Sequence, residues 1–313
     1  MSHKPKIVFL GTPEFARPTL KILLKNGLRP ELVITQPDKP VGRTSKIFFS
    51  PIKQLALAEG LNLFQPKGSK ELIEIFSNQK FEVAILVAFS MIIPSKIINK
   101  PKFGFLNLHP SLLPKYRGPS PIQQALLNGD DKSGVSIIKL EKEIDAGPII
   151  AQQEVTINLE DNAETLHTKL AKVGAELMLK ILPGYLAKSA KIIPQDNSKA
   201  TYTKIINRQD ALVDWKKTAW QINLQFRAFF PWPGVFTNLD GKRLKILNLS
   251  VLEGDFEAVL IPGMIFLGPR KELMVKCGKG ALELKTIQIE GKKKLLGKDF
   301  LHGQKNLIGK ILN

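Results

Sequence analysis

The chain has 313 residues, 43% of them hydrophobic and 24% charged, with mean hydropathy near zero at −0.03. That length predicts two domains of ordinary size, and the balance excludes a disordered or fibrous chain. Lys and Arg number 46 against 28 acids, a net charge of +18 that divides as +11 up to Arg208 and +7 beyond it; such an excess fits a polyanionic partner, nucleic acid above all, or a well-solvated Lys-rich surface.

The N-terminus, Met1-Ser2-His3-Lys4-Pro5, leads straight into an apolar segment with no signal peptide, so a cytoplasmic protein is expected. Lys6–Gly11 reads as a buried strand, followed by a helix from Ala16 that tolerates Pro18 in its first turn and stops at Asn26-Gly27. Leu32–Thr35 is a second strand and Ile52–Glu59 a helix. Val83–Ala88 is continuously apolar, as a strand covered on both faces would be. It falls far short of the ~20 residues a membrane span needs, so no membrane partner is expected. Gly104–His109, Gly134–Leu140 and Pro148–Ile157 are further strands, the last two joined by a Gly-containing turn. Leu166, Leu170, Val173, Leu177 and Ile181 give Ala163–Leu182 a helical face. These alternations predict a doubly wound, mainly parallel α/β sheet of Rossmann-like type. From about Ser189 the chain turns polar, a linker over 190–208. Beyond it, one helix at Ala219–Phe229 and alternating strands such as Arg243–Val251 and Gly280–Ile289 predict a second, smaller β-barrel domain.

The usual ligands of an α/β fold have no place to bind by motif. The turn Gly11-Thr12-Pro13-Glu14 lacks the G-x-G-x-x-G spacing for a dinucleotide, and no G-x-x-x-x-G-K-[ST] loop occurs. The single cysteine, Cys277, excludes an internal disulfide framework, and four scattered histidines leave no metal site expected. No G-x-S-x-G elbow supplies a nucleophile.

Residues 103–114 carry more. Strand side chains alternate, so Asn107 and His109 share one face while Leu106 and Leu108 take the other. Pro110 holds His109 extended at the C-terminal end of the strand, where open α/β sheets bind ligands. Asp145, in the turn between two strands, could orient an imidazolium. An Asn amide can stabilise a developing oxyanion, and a His can take the proton an attacking amine loses. Without a protein nucleophile, this set points to direct acyl transfer between two bound substrates. On these residues alone, a hydrogen-bonded structural Asn and His and an ordinary turn Asp stay open as alternatives.

At this point the sequence resembles the methionyl-tRNA formyltransferase family over essentially its whole length. The matching pieces are Phe9–Ala16, Gln36–Arg43, Asn107–Gly118, Asp145-Ala146-Gly147, Ala200-Thr201-Tyr202 and Arg227–Gly234. The resemblance implies transfer of a formyl group from 10-formyltetrahydrofolate to the α-amino group of methionine on initiator methionyl-tRNA, without a metal. It assigns Asn107, His109 and Asp145 as catalytic. It places Ser111, Leu112, Leu113 and Pro114 in the folate cleft, with Phe89, Met91 and Ile93 along the pterin. Lys39, Gly42 and Arg43 would touch the tRNA acceptor stem. The implied domains are a formyltransferase catalytic domain at 1–189 and an OB-like, tRNA-binding barrel at 209–313, in a monomer. A formyltransferase acting on a small amine (a sugar nucleotide or glycinamide ribonucleotide) and a non-catalytic RNA-binding protein on the same scaffold are the competing readings. The family commonly has Gly after the aromatic residue where this chain has Ser90. Trp232 is expected to be a buried anchor, and Lys292-Lys293-Lys294 either a solvated turn or a phosphate contact.

Overall fold

The first apolar run forms β1 (Ile7–Gly11), buried along its whole length. In this computed structural model, which describes residues 4–41, 46–254, 256, 259–304 and 306–313, β1 sits inside a seven-stranded sheet. After it come α1 (Arg17–Lys25), β2 (Leu32–Ile34), the antiparallel pair β3 (Lys39–Val41) and β4 (Lys46–Phe48), α2 (Pro51–Ala58) and β5 (Leu63–Phe64). Then follow α3 (Ser69–Asn78), β6 (Val83–Val87), α4 (Ser95–Ile98), β7 (Phe105–His109), α5 (Pro121–Leu127), β8 (Lys132–Lys139), β9 (Ile149–Thr156) and α6 (Ala163–Leu186). The strand order is β5-β2-β1-β6-β7-β8-β9, parallel as far as β7 and antiparallel beyond it. The doubly wound, mainly parallel sheet expected from the alternation of elements is therefore present.

Both faces of the parallel part are covered, which is why β6 carries no polar residue. Val8, Leu10, Ala84, Leu86 and Phe105 pack with Leu72 and Phe76 of α3 and Ile97 of α4 in one buried cluster. On the opposite face, Leu108 meets α6 at Gly174. Pro18 falls in the first turn of α1, where its missing N–H is not needed. Helix α6 runs one turn past Leu182, its expected end, and includes Pro183. The hydroxyl of Tyr185 in that last turn donates to the Phe103 carbonyl at 2.6 Å, and burial raises its phenol pKa.

The chain separates into two compact units. The first holds Met1–Pro121, Asp131–Ile157 and Leu166–Lys204; the second holds Ile122–Asp130, Asn158–Thr165 and Ile205–Asn313. In the second, α7 (Ala219–Phe229) precedes β10 (Phe236–Leu239), β11 (Lys242–Leu252), β12 (Ile265–Leu267), β13 (Leu273–Lys276), β14 (Ala281–Ile289), β15 (Leu295–Leu296) and α8 (Gly297–Gly303). The order β10-β11-β14-β13-β12, with β15 on β14, is antiparallel throughout. Register shifts around Asn248 bend β11, as a small half-barrel requires. Trp232 departs from expectation: it is 55% exposed, and the buried indole of this unit is Trp215, which donates to the Thr237 hydroxyl at 3.0 Å.

Candidate active site

Strand β7 lies where the sheet changes from parallel to antiparallel, with Asn107 opposite Leu86 of β6 on one side and His109 opposite Ser136 of β8 on the other. Its odd-numbered side chains share a face, so Phe105 enters the core cluster while Asn107 and His109 extend that row to the strand's C-terminal end. Asp145 reaches the same place from the turn between β8 and β9. Its backbone is left-handed (φ 52°), a conformation Asp tolerates better than most side chains. The turn closes tightly, because Gly147 passes so near the Lys139 carbonyl that any Cβ would collide with it.

The three groups meet at one carboxylate. Asn107 Nδ2 donates to Asp145 Oδ1 at 3.4 Å, and His109 Nδ1 lies 3.5 Å from Asp145 Oδ2. The backbone N–H of Gly118 donates to the same Oδ2 at 2.8 Å. The His109 and Asp145 side chains are only 5% and 12% exposed, so water screens their interaction weakly. The other ring nitrogen of His109, Nε2, is 3.0 Å from the Tyr116 carbonyl. A carbonyl only accepts, so Nε2 carries a hydrogen there, and Nδ1 faces the Asp145 carboxylate. A second Asn107 N–H remains for an oxygen arriving from the cleft.

Residues 111–114 are built into a fixed loop. The Ser111 hydroxyl donates to the Lys115 carbonyl at 2.6 Å, and the Ser111 carbonyl accepts from Ser136 Oγ at 2.6 Å. Ser136 Oγ also accepts from the Leu113 N–H, and Gln152 Nε2 donates to both Ser136 Oγ and the Leu113 carbonyl. Ser111 and Leu113 are buried, Leu113 against Ile138 and Ile149, while Leu112 and Pro114 are half-buried.

The neighbouring wall runs from the C-terminal end of β6. Phe89 and Ile93 are buried in the core cluster, with Met91 packed against it. Ala88 and Ser90 on either side of Phe89 are left-handed (φ 47° and 62°), a conformation Gly would adopt at less cost. The Phe89 carbonyl accepts from Thr12 Oγ1 at 3.4 Å and Gln36 Nε2 at 3.0 Å. This wall stands at the switch point of the sheet, where chain order reverses between β1 and β6.

Of the residues expected to touch tRNA, Lys39 pairs through its backbone with Phe48 across the β3–β4 hairpin. Its side chain, and Gly42 and Arg43 entirely, lie outside the described residues. Just before β3, Lys53 donates to Asp38 and to Gln65 Oε1, while Gln65 Nε2 donates to Asp38 Oδ1 and the Gln36 carbonyl. The Lys53 hydrogen bond holds the Asp38 carboxyl below its ordinary pKa.

Sequence reasoning missed Tyr116, Gly118 and Gln195. The first two follow the Ser-Leu-Leu-Pro run directly, and Gly118 (φ 105°) packs against Thr203 where a Cβ would crowd. Cys277 in the second unit is fully buried and its thiol is pushed up to about 12 by that burial, so it offers no nucleophile. Among the described residues, no group of three or more His, Cys, Asp or Glu is placed to hold a metal, and no helix is long and apolar enough to cross a membrane.

A carboxamide and an imidazole–carboxylate pair thus stand together at the C-terminal end of a strand in a doubly wound sheet, the place where such folds bind ligands. The chain matches the family described as formyl transferase over residues 5–182 and the family described as formyl transferase, C-terminal domain, over residues 205–305. It belongs to the formyl transferase family. Its relatives include the methionyl-tRNA formyltransferase of Methylococcus capsulatus, 41% identical over 310 residues, 98% of this chain and 99% of that protein. The methionyl-tRNA formyltransferase of Caldanaerobacter subterraneus is 40% identical over 312 residues, with the same coverage of both chains. Among solved structures, an N-formyltransferase of Helicobacter canadensis in complex with folinic acid and dTDP-3-aminofucose shares the fold. Its TM-score is 0.69 at 23% identity, covering 90% of this chain and 98% of that one.

Proposed function

We propose that this chain transfers the formyl group of 10-formyltetrahydrofolate to the α-amino group of methionine on initiator methionyl-tRNA, in the cytoplasm. The observation that carries this reading is the likeness to proteins named methionyl-tRNA formyltransferase along both domains, at about two residues in five. The cluster around Asp145 supports the chemistry.

In the proposed reaction, Asn107 donates an N–H to the formyl oxygen and stabilises the negative charge that grows there as the amine adds to the formyl carbon. The His109–Asp145 pair receives the proton that the amine nitrogen loses when its new C–N bond forms. That proton passes to the folate nitrogen as its bond to the formyl carbon breaks, so the protein ends as it began. The Tyr116 carbonyl fixes the imidazole's orientation, so Nδ1 rather than Nε2 handles the proton. A flat, amphipathic donor is proposed to lie between the loop carrying half-buried Leu112 and Pro114 and the segment around Phe89 and Met91. Lys39, Gly42 and Arg43 are proposed to meet the acceptor stem, and residues 209–313, with their excess of basic residues, the RNA backbone.

The test is a formyl-transfer assay offering initiator tRNA charged with methionine, the uncharged and elongator tRNAs, and an amino-sugar nucleotide. Formylation of charged initiator tRNA is expected. Modification of the sugar nucleotide without charged tRNA would reassign the acceptor, and tRNA binding with no transfer to any of them would make this a binding protein.

A further inference from the structure

We infer that Gln195, in the polar stretch after the catalytic sheet, is a positioning residue for the transfer reaction, acting by holding the Asp145 turn in its left-handed shape. This rests on the function proposed above. Gln195 Nε2 donates to the backbone carbonyls of Asp145 and Gly147, both at 2.7 Å, and so clamps the backbone on either side of Ala146 in the turn that presents the carboxylate. Its Oε1 accepts from Arg117 Nε at 3.1 Å and Nη2 at 2.8 Å. The guanidinium is itself buried, 2% exposed, and held further by Asn197 Oδ1 at 2.8 Å and the Tyr202 hydroxyl at 3.4 Å. A cation on Oε1 polarises the amide and strengthens Nε2 as a donor.

The connection closes on itself. Arg117 grips the backbone of Asp145 through Gln195, and the next residue, Gly118, grips the Asp145 side chain through its N–H at 2.8 Å. The segment cannot slide, because Arg117 N donates to the Thr201 carbonyl and Thr203 N to the Arg117 carbonyl, each at 2.8 Å. Asp145 at φ 52° needs such holding: left-handed backbone in a residue other than Gly persists where its surroundings over-determine it. The role requires an amide. A carboxylate at 195 would pair well with Arg117 but turn lone pairs toward two carbonyls.

Gln195→Glu therefore separates positioning from folding, since the buried guanidinium gains an ionic partner while the turn loses both donors. The assay measures kcat and KM for charged initiator tRNA and for the folate donor, with the melting temperature. The expected result is a kcat about 10- to 100-fold below the parent, with both KM values within about threefold. The melting temperature is expected within about 3 °C of the parent. A kcat within about twofold of the parent, or a loss confined to KM, overturns the inference. If Q195E melts far below the parent, Gln195→Met, which fills similar volume without opposing lone pairs, carries the same expectation. The crystal structure of Q195E supplies a readout independent of turnover: the Asp145–His109 Nδ1 separation, 3.5 Å here, is expected to open. An unchanged separation sinks the inference, whereas a parent protein that transfers no formyl group sinks the proposed function instead.

Discussion

Asp145→Asn tests the proton-handling pair without altering its shape. The side chain keeps its size, and its remaining carbonyl oxygen can still accept the Gly118 N–H now 2.8 Å from Oδ2. What changes is charge: with the carbonyl kept at the Oδ2 position, facing Gly118 and His109 Nδ1, the new NH₂ takes the Oδ1 position and meets the Asn107 amide, which is also a donor. Two unit charges 3.5 Å apart, as His109 and Asp145 become when Nδ1 takes a proton, attract by about 5 kcal/mol at an effective dielectric of about 20. Losing that attraction in the transition state corresponds to roughly three- to five-thousandfold in rate. The assay is single-turnover formyl transfer to charged initiator tRNA at saturating donor, so that binding is not limiting. The melting temperature, expected within a few degrees of the parent, shows whether the fold is intact. A folded D145N enzyme that loses less than about tenfold would refute the claim that the carboxylate stabilises the protonated imidazole.

Asn107→Ala removes the oxyanion donor and is expected to cut kcat by ~10²–10³, about 2.7–4 kcal/mol of barrier, in steady-state assays; a loss below tenfold would make Asn107 a structural residue. Arg43→Ala, between β3 and β4, is expected to raise KM for tRNA, leave folate binding intact and lower the salt-dependence slope of tRNA binding by about one. An unchanged KM removes Arg43 from the interface. Ser90→Gly relieves about 1–2 kcal/mol of left-handed backbone cost but adds about 0.4–1 kcal/mol of unfolded-chain entropy, for a net gain of about 0.5 kcal/mol in denaturant melts. Destabilisation by more than about 1 kcal/mol would contradict the φ of 62° at this residue.

The parts of this fold legible in the sequence are those written in local pattern. The continuous apolar run of β6 predicts a strand covered on both faces, and Gly104–His109 reads as a further strand; both form. The partition of Asn107 and His109 onto one face also follows from alternation alone. The contacts around them do not. Tyr116 reaches His109 through its carbonyl, which no side-chain pattern encodes. Gln195 reads as solvated linker because composition cannot distinguish an amide facing water from one bonded to a turn 50 residues earlier. Trp232 shows the same limit in reverse, an aromatic exposed where size alone argues for burial. The short β3–β4 pair escaped notice because strands of three residues are too brief for period two to register.

The most direct test of the account is a structure of the protein bound to a non-transferable formyl-folate analogue. The account predicts the formyl oxygen about 2.7–3.2 Å from Asn107 Nδ2, with the carbon open to attack on the side of the His109–Asp145 pair. A donor seated in the cleft with its formyl group turned away from both side chains would contradict it.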